Sequence, residues 1–362
     1  MKLFFLIPLL SFFLLSVGKT FAQIDTTKQK NEEEEAGEPT NFSQFQGEVE
    51  EATGVKRYCT SKVFGITPNK LISIGYDYQL AYKMTSEQET QSINATHGLR
   101  VLANFPVIST NKITFNIGAN YTESNYNFPN PEKLKSPLHN SLHNNPLRST
   151  GLAFTVFKPL NEKHFLLFNT QHEMSGDYRL DEWQKLNSIR HSVAGVFGWK
   201  KHDRLMYGFG VARTYRVGEM NYIPVILCNY TSGNRKWGIE AFFPARLHFR
   251  RSFNTRNLLL FGYELEGTSY QLRNKNNEFN TLIANPKSIE LRRSELRFRA
   301  VFEKQLHNFI WLSFQAGYRV GYNFQVDNGD FFRGFFGNQP YLIQSSITNP
   351  LYFNFSINLV SP

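Results

Sequence analysis

The sequence predicts an all-β chain whose strands close into a transmembrane, antiparallel, up-and-down barrel of about 14 strands, within a range of roughly 12 to 16. Three observations predict it. A strand pair from Ser294 to Phe324 is long and two-sided, short and long connections alternate along the chain, and the chain closes on an amphipathic segment.

The strand pair sets the pattern. In its first arm Leu296, Phe298, Ala300 and Phe302 fall on one face, and Glu295, Arg297, Arg299 and Glu303 on the other. In its second arm Ile310, Leu312, Phe314, Ala316, Tyr318, Val320 and Tyr322 alternate with Ser313, Gln315, Gly317, Arg319, Gly321 and Asn323. Side chains on a strand alternate faces, so each arm has one oily and one hydrophilic side. Arms of about a dozen residues exceed the usual strand of roughly five or six. With aromatics toward the ends of the oily side, that side suits lipid and the polar side suits a lumen.

Taken from its N-terminus, the chain opens on Met1-Lys2, an apolar run from Leu3 to Val17, and Thr20-Phe21-Ala22. A short basic start, an apolar core and a small residue at the end form a secretory signal peptide, expected to span residues 1–22 with cleavage after Ala22. No later apolar run approaches the roughly 20 residues of a spanning helix. Residues 23–53 are polar and contain Glu32-Glu33-Glu34-Glu35. Such a run stays solvated, so the segment is expected to be a disordered acidic periplasmic leader. The barrel is expected within 54–362, with 54–68 either starting the sheet or crossing the barrel mouth.

Aromatic residues make up 15% of the chain, with 34 Phe and 17 Tyr, although the mean hydropathy is −0.39. That combination suits strands with half of their side chains in water. The formal charge is +10, or +8 once Lys2 and Lys19 are removed (10 − 2). In an exported chain this balance fits anionic headgroups or an anion-preferring lumen, and not nucleic acid. Cys59 and Cys228 lie far apart, and two unpaired thiols are expected.

The strands follow in order. Ile72, Ile74, Tyr76, Tyr78, Leu80 and Tyr82 alternate with Ser73, Gly75, Asp77, Gln79 and Ala81. Residues 97–108 form a less regular second strand, and after Asn111-Lys112 the third sets Ile113, Phe115, Ile117, Ala119 and Tyr121 against Thr114, Asn116, Gly118 and Asn120. Further strands are expected near 148–159, 164–176, 187–199, 204–216, 222–231, 236–243, 257–271, 290–304, 308–324 and 348–360. Short turns fall near 109–112, 160–163, 200–203, 232–235, 253–256 and 304–307, and longer polar loops near 85–95, 124–147, 177–187, 272–288 and 325–347. Strict alternation of the two fails only between 232–235 and 253–256, which must be separated by an even number of strands. Splitting that segment at Pro244, which cannot donate to a ladder, restores the alternation with a three-residue loop at 244–246. The two resulting strands fall short of the roughly 9–11 residues that span a bilayer.

In the last segment Leu351, Phe353, Phe355, Ile357 and Leu359 alternate with Tyr352, Asn354, Ser356 and Asn358. Over roughly 70–362 the chain thus resembles the outer-membrane β-barrel proteins of Gram-negative bacteria, and among them the uncharacterised barrel families described as domains of unknown function. It ends Val360-Ser361-Pro362 rather than on the family's usual aromatic residue. The resemblance implies an outer-membrane location, contact with outer-membrane lipid and lipopolysaccharide, and recognition of the terminal strand by the barrel assembly machinery.

Candidate functional residues lie on the hydrophilic faces of the late strands. Arg246, His248 and Arg250 share one phase, Glu264 and Glu266 point inward from 257–271 together with Gly262 and Thr268, and Glu295, Arg297, Arg299 and Arg319 come from the strand pair. Opposite charges on neighbouring strands pair across the ladder, so Arg297 and Arg299 are expected beside Glu264 and Glu266. The set reads either as a polar conduit that attracts anions or as a salt-bridged filling that plugs the barrel.

Catalytic readings are weaker. His172 with Ser175 and His191 with Ser192 are the nearest local pairs, but each pair differs in strand phase. His139 and His143 have i,i+4 spacing, yet no cysteine or carboxylate nearby in sequence completes a metal site, and Pro137 and Pro146 argue against a long helix. No catalytic residues, metal ligands or cofactors are assigned, and no nucleotide- or DNA-binding motif occurs. The leading expectation is a non-enzymatic outer-membrane barrel that passes or binds small polar or anionic solutes. A structural or surface-interaction barrel and a lipid-modifying enzyme are the alternatives.

Overall fold

The computed structural model describes residues 57–87, 89–178, 189–274, 278–283, 288–329 and 340–361. The expected signal peptide and acidic leader lie outside the described residues. The strands in chain order are β1 (Lys70–Gln79), β2 (Tyr82–Ser86), β3 (Glu89–Ile93), β4 (Ala95–Ser109), β5 (Thr114–Asn127), β6 (Leu147–Pro159) and β7 (His164–Gly176). They continue as β8 (Arg190–His202), β9 (Leu205–Thr214), β10 (Asn221–Thr231), β11 (Trp237–Phe243), β12 (Arg246–Asn254) and β13 (Asn257–Leu272). The last four are β14 (Ile289–His307), β15 (Ile310–Asp327), β16 (Ile343–Ile347) and β17 (Leu351–Val360). An α-helix, α1 (Pro137–Asn144), lies between β5 and β6, with Pro137 in its first turn, where a missing N–H costs nothing.

Fourteen of these strands close a ring. From β4 to β15 each pairs antiparallel with its successor, β15 pairs with β17, and β1 sits between β17 and β4. The hairpin β2–β3 and strand β16 form a small additional layer at the end with the long connections. The expected barrel and its strand number are therefore observed.

Alternation in sequence becomes inside and outside in space. Phe261, Phe298, Phe314, Tyr318, Phe355 and Ile357 are exposed, with Phe261 at 63%, while Glu303, Ser313, Arg319 and Asn358 between them are buried. An apolar surface this continuous around a ring has no place in water; it is the lipid-facing band of a membrane barrel. The arms of the Ser294–Phe324 pair belong to β14 and β15, which run for 19 and 18 residues.

The division at Pro244 is also observed, with one adjustment. The turn is Pro244 and Ala245 only, because Arg246 already pairs with Phe242 and Glu264. Strands β11 and β12 are short, 7 and 9 residues, and β12 accompanies β13 only as far as Glu264. Beyond that point the free edge of β13 is met from within. Leu265 O accepts from Arg216 Nη1 at 3.0 Å, and Gln271 O accepts from Asp177 N at 3.2 Å.

Candidate functional site: the barrel interior

The interior is filled in three layers. At the short-turn end, residues 57–67 cross the mouth. Cys59 N donates to Asn161 O (3.0 Å) and Phe64 N to Asp203 O (2.8 Å), which ties the segment to two turns. Lys200 Nζ donates to Thr60 Oγ1 (2.7 Å) and Lys62 O (3.0 Å), and Thr67 N and Oγ1 both donate to Glu240 Oε1 (2.9 and 2.8 Å). Glu240 in turn holds Arg250 at 2.7 Å. Cys59 and Val63 pack against Phe157, Phe165, Val196 and Met206. Two glycines create the room: a Cβ on Gly198 would strike the Phe165 ring at 2.2 Å, and one on Gly238 would meet Arg250 Nη2 at 2.2 Å. Residues 57–67 thus cross the mouth rather than begin the sheet. Both cysteines are free.

The middle layer is a belt of ion pairs. Arg297 on β14 reaches Glu266 at 2.8 Å and Glu295 at 2.7 Å, and Arg299 reaches Glu264 at 2.5 Å. The backbone register places Glu264 opposite Arg297 and Glu266 opposite Glu295. The side chains therefore pair diagonally, and Arg297 separates two carboxylates that would otherwise face each other. Glu295 also accepts from Arg293 at 3.3 Å and from Arg319. Arg100 of β4 contacts Glu266 of β13 at 2.7 Å and Asp77 of β1 at 3.2 Å. Four strands (β1, β17, β15 and β14) separate β4 from β13 around the shorter arc of the ring. The Arg100–Glu266 pair is therefore a bridge through the interior from wall to wall.

The third layer caps the long-connection end. Tyr82 and Met84 of β2, Ile93 of β3, Leu138 and Leu142 of α1, and Phe324 and Val326 of β15 belong to one buried apolar cluster. Residues 215–220, between β9 and β10, fold inward beneath it: Met220 is buried, and a Cβ on Gly218 would lie 3.0 Å from Asn323 Nδ2.

Most of the sequence-derived candidates converge, and two stand apart. Glu264, Glu266, Glu295, Arg297, Arg299 and Arg319 make the belt, and His248 Nε2 accepts from Arg299 Nε at 3.2 Å. Arg250 belongs instead to the layer at the short-turn end, and Arg246 is exposed beside the Pro244 turn. Asp77, Arg100, Arg293, Glu240 and Lys200 were not singled out from the sequence. Asp77 lies on the hydrophilic phase of the first strand, so alternation alone could have found it. Arg100 sits in an irregular strand and gave no such signal.

His172 and His191 are cross-strand partners on the outer face, with their Nδ1 atoms 2.6 Å apart. Ser175 is buried and exchanges a 2.7 Å hydrogen bond with Ser149. His139 is fully buried 3.4 Å from Glu89. Among the described residues no group of three or more His, Cys, Asp or Glu side chains converges as a metal site would require.

A closed ring with an apolar outer band and a salt-bridged interior defines a transmembrane β-barrel whose lumen is occupied by its own side chains. Residues 71–359 match the family described as a domain of unknown function (DUF6268), and the chain belongs to that family. No curated protein sequence matches it. Among solved structures, the chain is similar to an outer membrane channel from Pseudomonas putida F1, with 11% identity, a TM-score of 0.35, and 82% of this chain and 97% of that one covered. It is similar also to the P. putida toluene transporter TodX (9%, TM-score 0.33, covering 82% and 91%) and to LpxR from Salmonella typhimurium (9%, TM-score 0.32, covering 80% and 100%). These likenesses are ones of outline.

Proposed function

We propose that the protein is an integral outer-membrane barrel, seated in lipid and lipopolysaccharide through its apolar band and closed at rest. Its arginine-rich interior binds small polar or anionic solutes and passes them only when its filling moves. The observation that carries this reading is the Arg100–Glu266 bridge, with Arg297 and Glu295 beside it. The belt narrows the cross-section without sealing it, since Arg100 and Glu266 keep 25% and 29% of their side-chain surface exposed, and its arginines supply the field an anion requires. The proposed role is non-enzymatic, which the commitment of Ser175 to Ser149 supports. Membrane insertion would proceed through the barrel assembly machinery acting on β17.

Planar-bilayer recording of the full chain and of a variant lacking 57–67, with 129–145 replaced by a short polar linker, tests the proposal. The full chain is expected to be silent and the variant to conduct with anion preference. Steady conductance of the full chain would make it an open pore. Silence of the variant would leave a structural barrel. The folded cap favours that second reading to the extent that it presents α1 and β2–β3 as a surface for a partner, and the same linker variant would then lose partner binding while the barrel stays intact.

A further inference from the structure

Two small chambers lie inside the barrel, and Arg293 lines both. In the first, Asp77, Glu123 and Glu266 face Arg100, Arg293 and Arg297. The charged groups lining the second are Arg293, Arg319 and Glu295 alone, so two positive charges meet one negative. Adding the first chamber does not cancel the excess, because Glu123 is already paired with Arg148 at 2.9 Å.

The second chamber also holds unanswered polar atoms: Asn323 Oδ1, the Ser294 hydroxyl and one guanidinium donor. Arg319 is 5% exposed and contacts Glu295 through Nη2, but its Nη1 has no hydrogen-bond partner. Tyr82, Tyr126 and Phe324 form apolar walls, and the Tyr82 hydroxyl is taken up by Thr96 at 2.8 Å. A guanidinium N–H without an acceptor is costly in such a place, and an uncompensated charge is costlier. A water molecule would relieve the first cost and not the second. The free space beside these groups admits about one water-sized particle, which suits a small inorganic ion.

The geometry points to a resident small inorganic anion, of chloride size and charge, held in this chamber by Arg319 Nη1 and the neighbouring Arg293 guanidinium. The inference rests on the solute-binding part of the function proposed above and narrows it to one site, but it does not require passage. A barrel that holds a halide and never conducts would keep the site and lose the transport.

Crystals of the full chain grown in sodium bromide, measured at the bromine edge, are expected to show an anomalous peak beside Arg319 Nη1. Thermal unfolding of the detergent-folded chain is expected to shift upward in chloride relative to gluconate at equal ionic strength, and Arg319→Gln is expected to lose that shift. Should Arg319→Gln fail to fold, Asn323→Asp, which sets a carboxylate at the chamber wall, is expected to abolish the bromide peak. Absence of the peak in the native chain, equal melting in the two salts, or a peak that survives either substitution would overturn the proposal and leave a water in the chamber.

Discussion

Arg297 shows how much one interior side chain carries. Its guanidinium lies between Glu266 and Glu295, which the β13–β14 register sets directly opposite each other, and its side chain is 5% exposed. Arg297→Met leaves those carboxylates facing one another without their shared cation. Glu266 keeps Arg100, and Glu295 keeps Arg293 and Arg319, so the expected cost is that of lost hydrogen bonds to charged groups, roughly 1.5–3 kcal/mol, measured by urea unfolding of the detergent-folded barrel. Arg299→Met should cost less, since Arg299 and Glu264 are 15% and 21% exposed, whereas Arg297 and Glu295 are 5% and 6% exposed. Equal losses would show that the belt acts as undifferentiated charge.

His139 makes a second prediction at the same scale. It is buried in the cap, which holds its pKa below the ordinary 6.5 against the opposing pull of Glu89. Burial acts to raise Glu89, but hydrogen bonds from Lys135 N, Gln91 and Ser136 N, together with His139, outweigh it and hold that carboxyl below its ordinary 4.5. Both shifts have one sign. Each group binds protons more readily in the unfolded cap, so cap stability is constant well above pH 6.5 and declines as the pH falls below it, first through His139 and then through Glu89. Hydrogen exchange of residues 137–144, corrected for intrinsic rates, should accelerate between pH 7.5 and pH 5, and His139→Leu should flatten the dependence. A flat native profile would contradict this.

Among the elements, the segment 57–67 is the least secured by sheet pairing and the most dependent on side chains. Lys200 serves Thr60, Lys62 and Asp203 at once, the last at 3.1 Å. Cys59 reports on the segment directly. It is 6% exposed, and burial pushes its thiol up against the pull of Lys200, so the reactive thiolate is scarce at neutral pH. Lys200→Met should raise the rate of Cys59 labelling by a membrane-impermeant maleimide several-fold. Unchanged labelling would mean that the backbone bonds to Asn161 and Asp203 hold the segment alone. The same substitution should leave the heat resistance of the ring intact, because the segment contributes no strand to it.

For the whole molecule, the mouth segment and the cap each close one end while the belt between them stays accessible to water, so removing one closure leaves the other. The chain lacking 57–67 but keeping its cap, and the chain with the 129–145 linker but keeping 57–67, are each expected to stay silent in bilayers. Only the combined variant is expected to conduct, so the effects should be far from additive. Conductance from either single change would show that one layer seals the barrel by itself.

Much of this architecture could be read from the chain. Period-two alternation fixes which side chains share a face, and connection length fixes which end of the barrel a turn occupies. Together they require the division at Pro244 and lead to the observed ring. Alternation also placed Glu264, Glu266, Glu295, Arg297, Arg299 and Arg319 on one surface. It set Arg297 and Arg299 beside Glu264 and Glu266, as observed, but did not say which carboxylate each arginine takes. The diagonal pairing of Arg297 with Glu266 needs the lengths and rotamers of the side chains. The reach of Arg100 across to Glu266 needs the ring to be closed, since β4 and β13 lie far apart along the sheet. The entry of 57–67 into the mouth, the contact of buried His139 with Glu89, and the single excess charge around Arg319 arise from the same long-range closure. A strand's faces are local properties of its sequence, whereas what fills the enclosed space depends on every wall at once, and only the tertiary structure decides it.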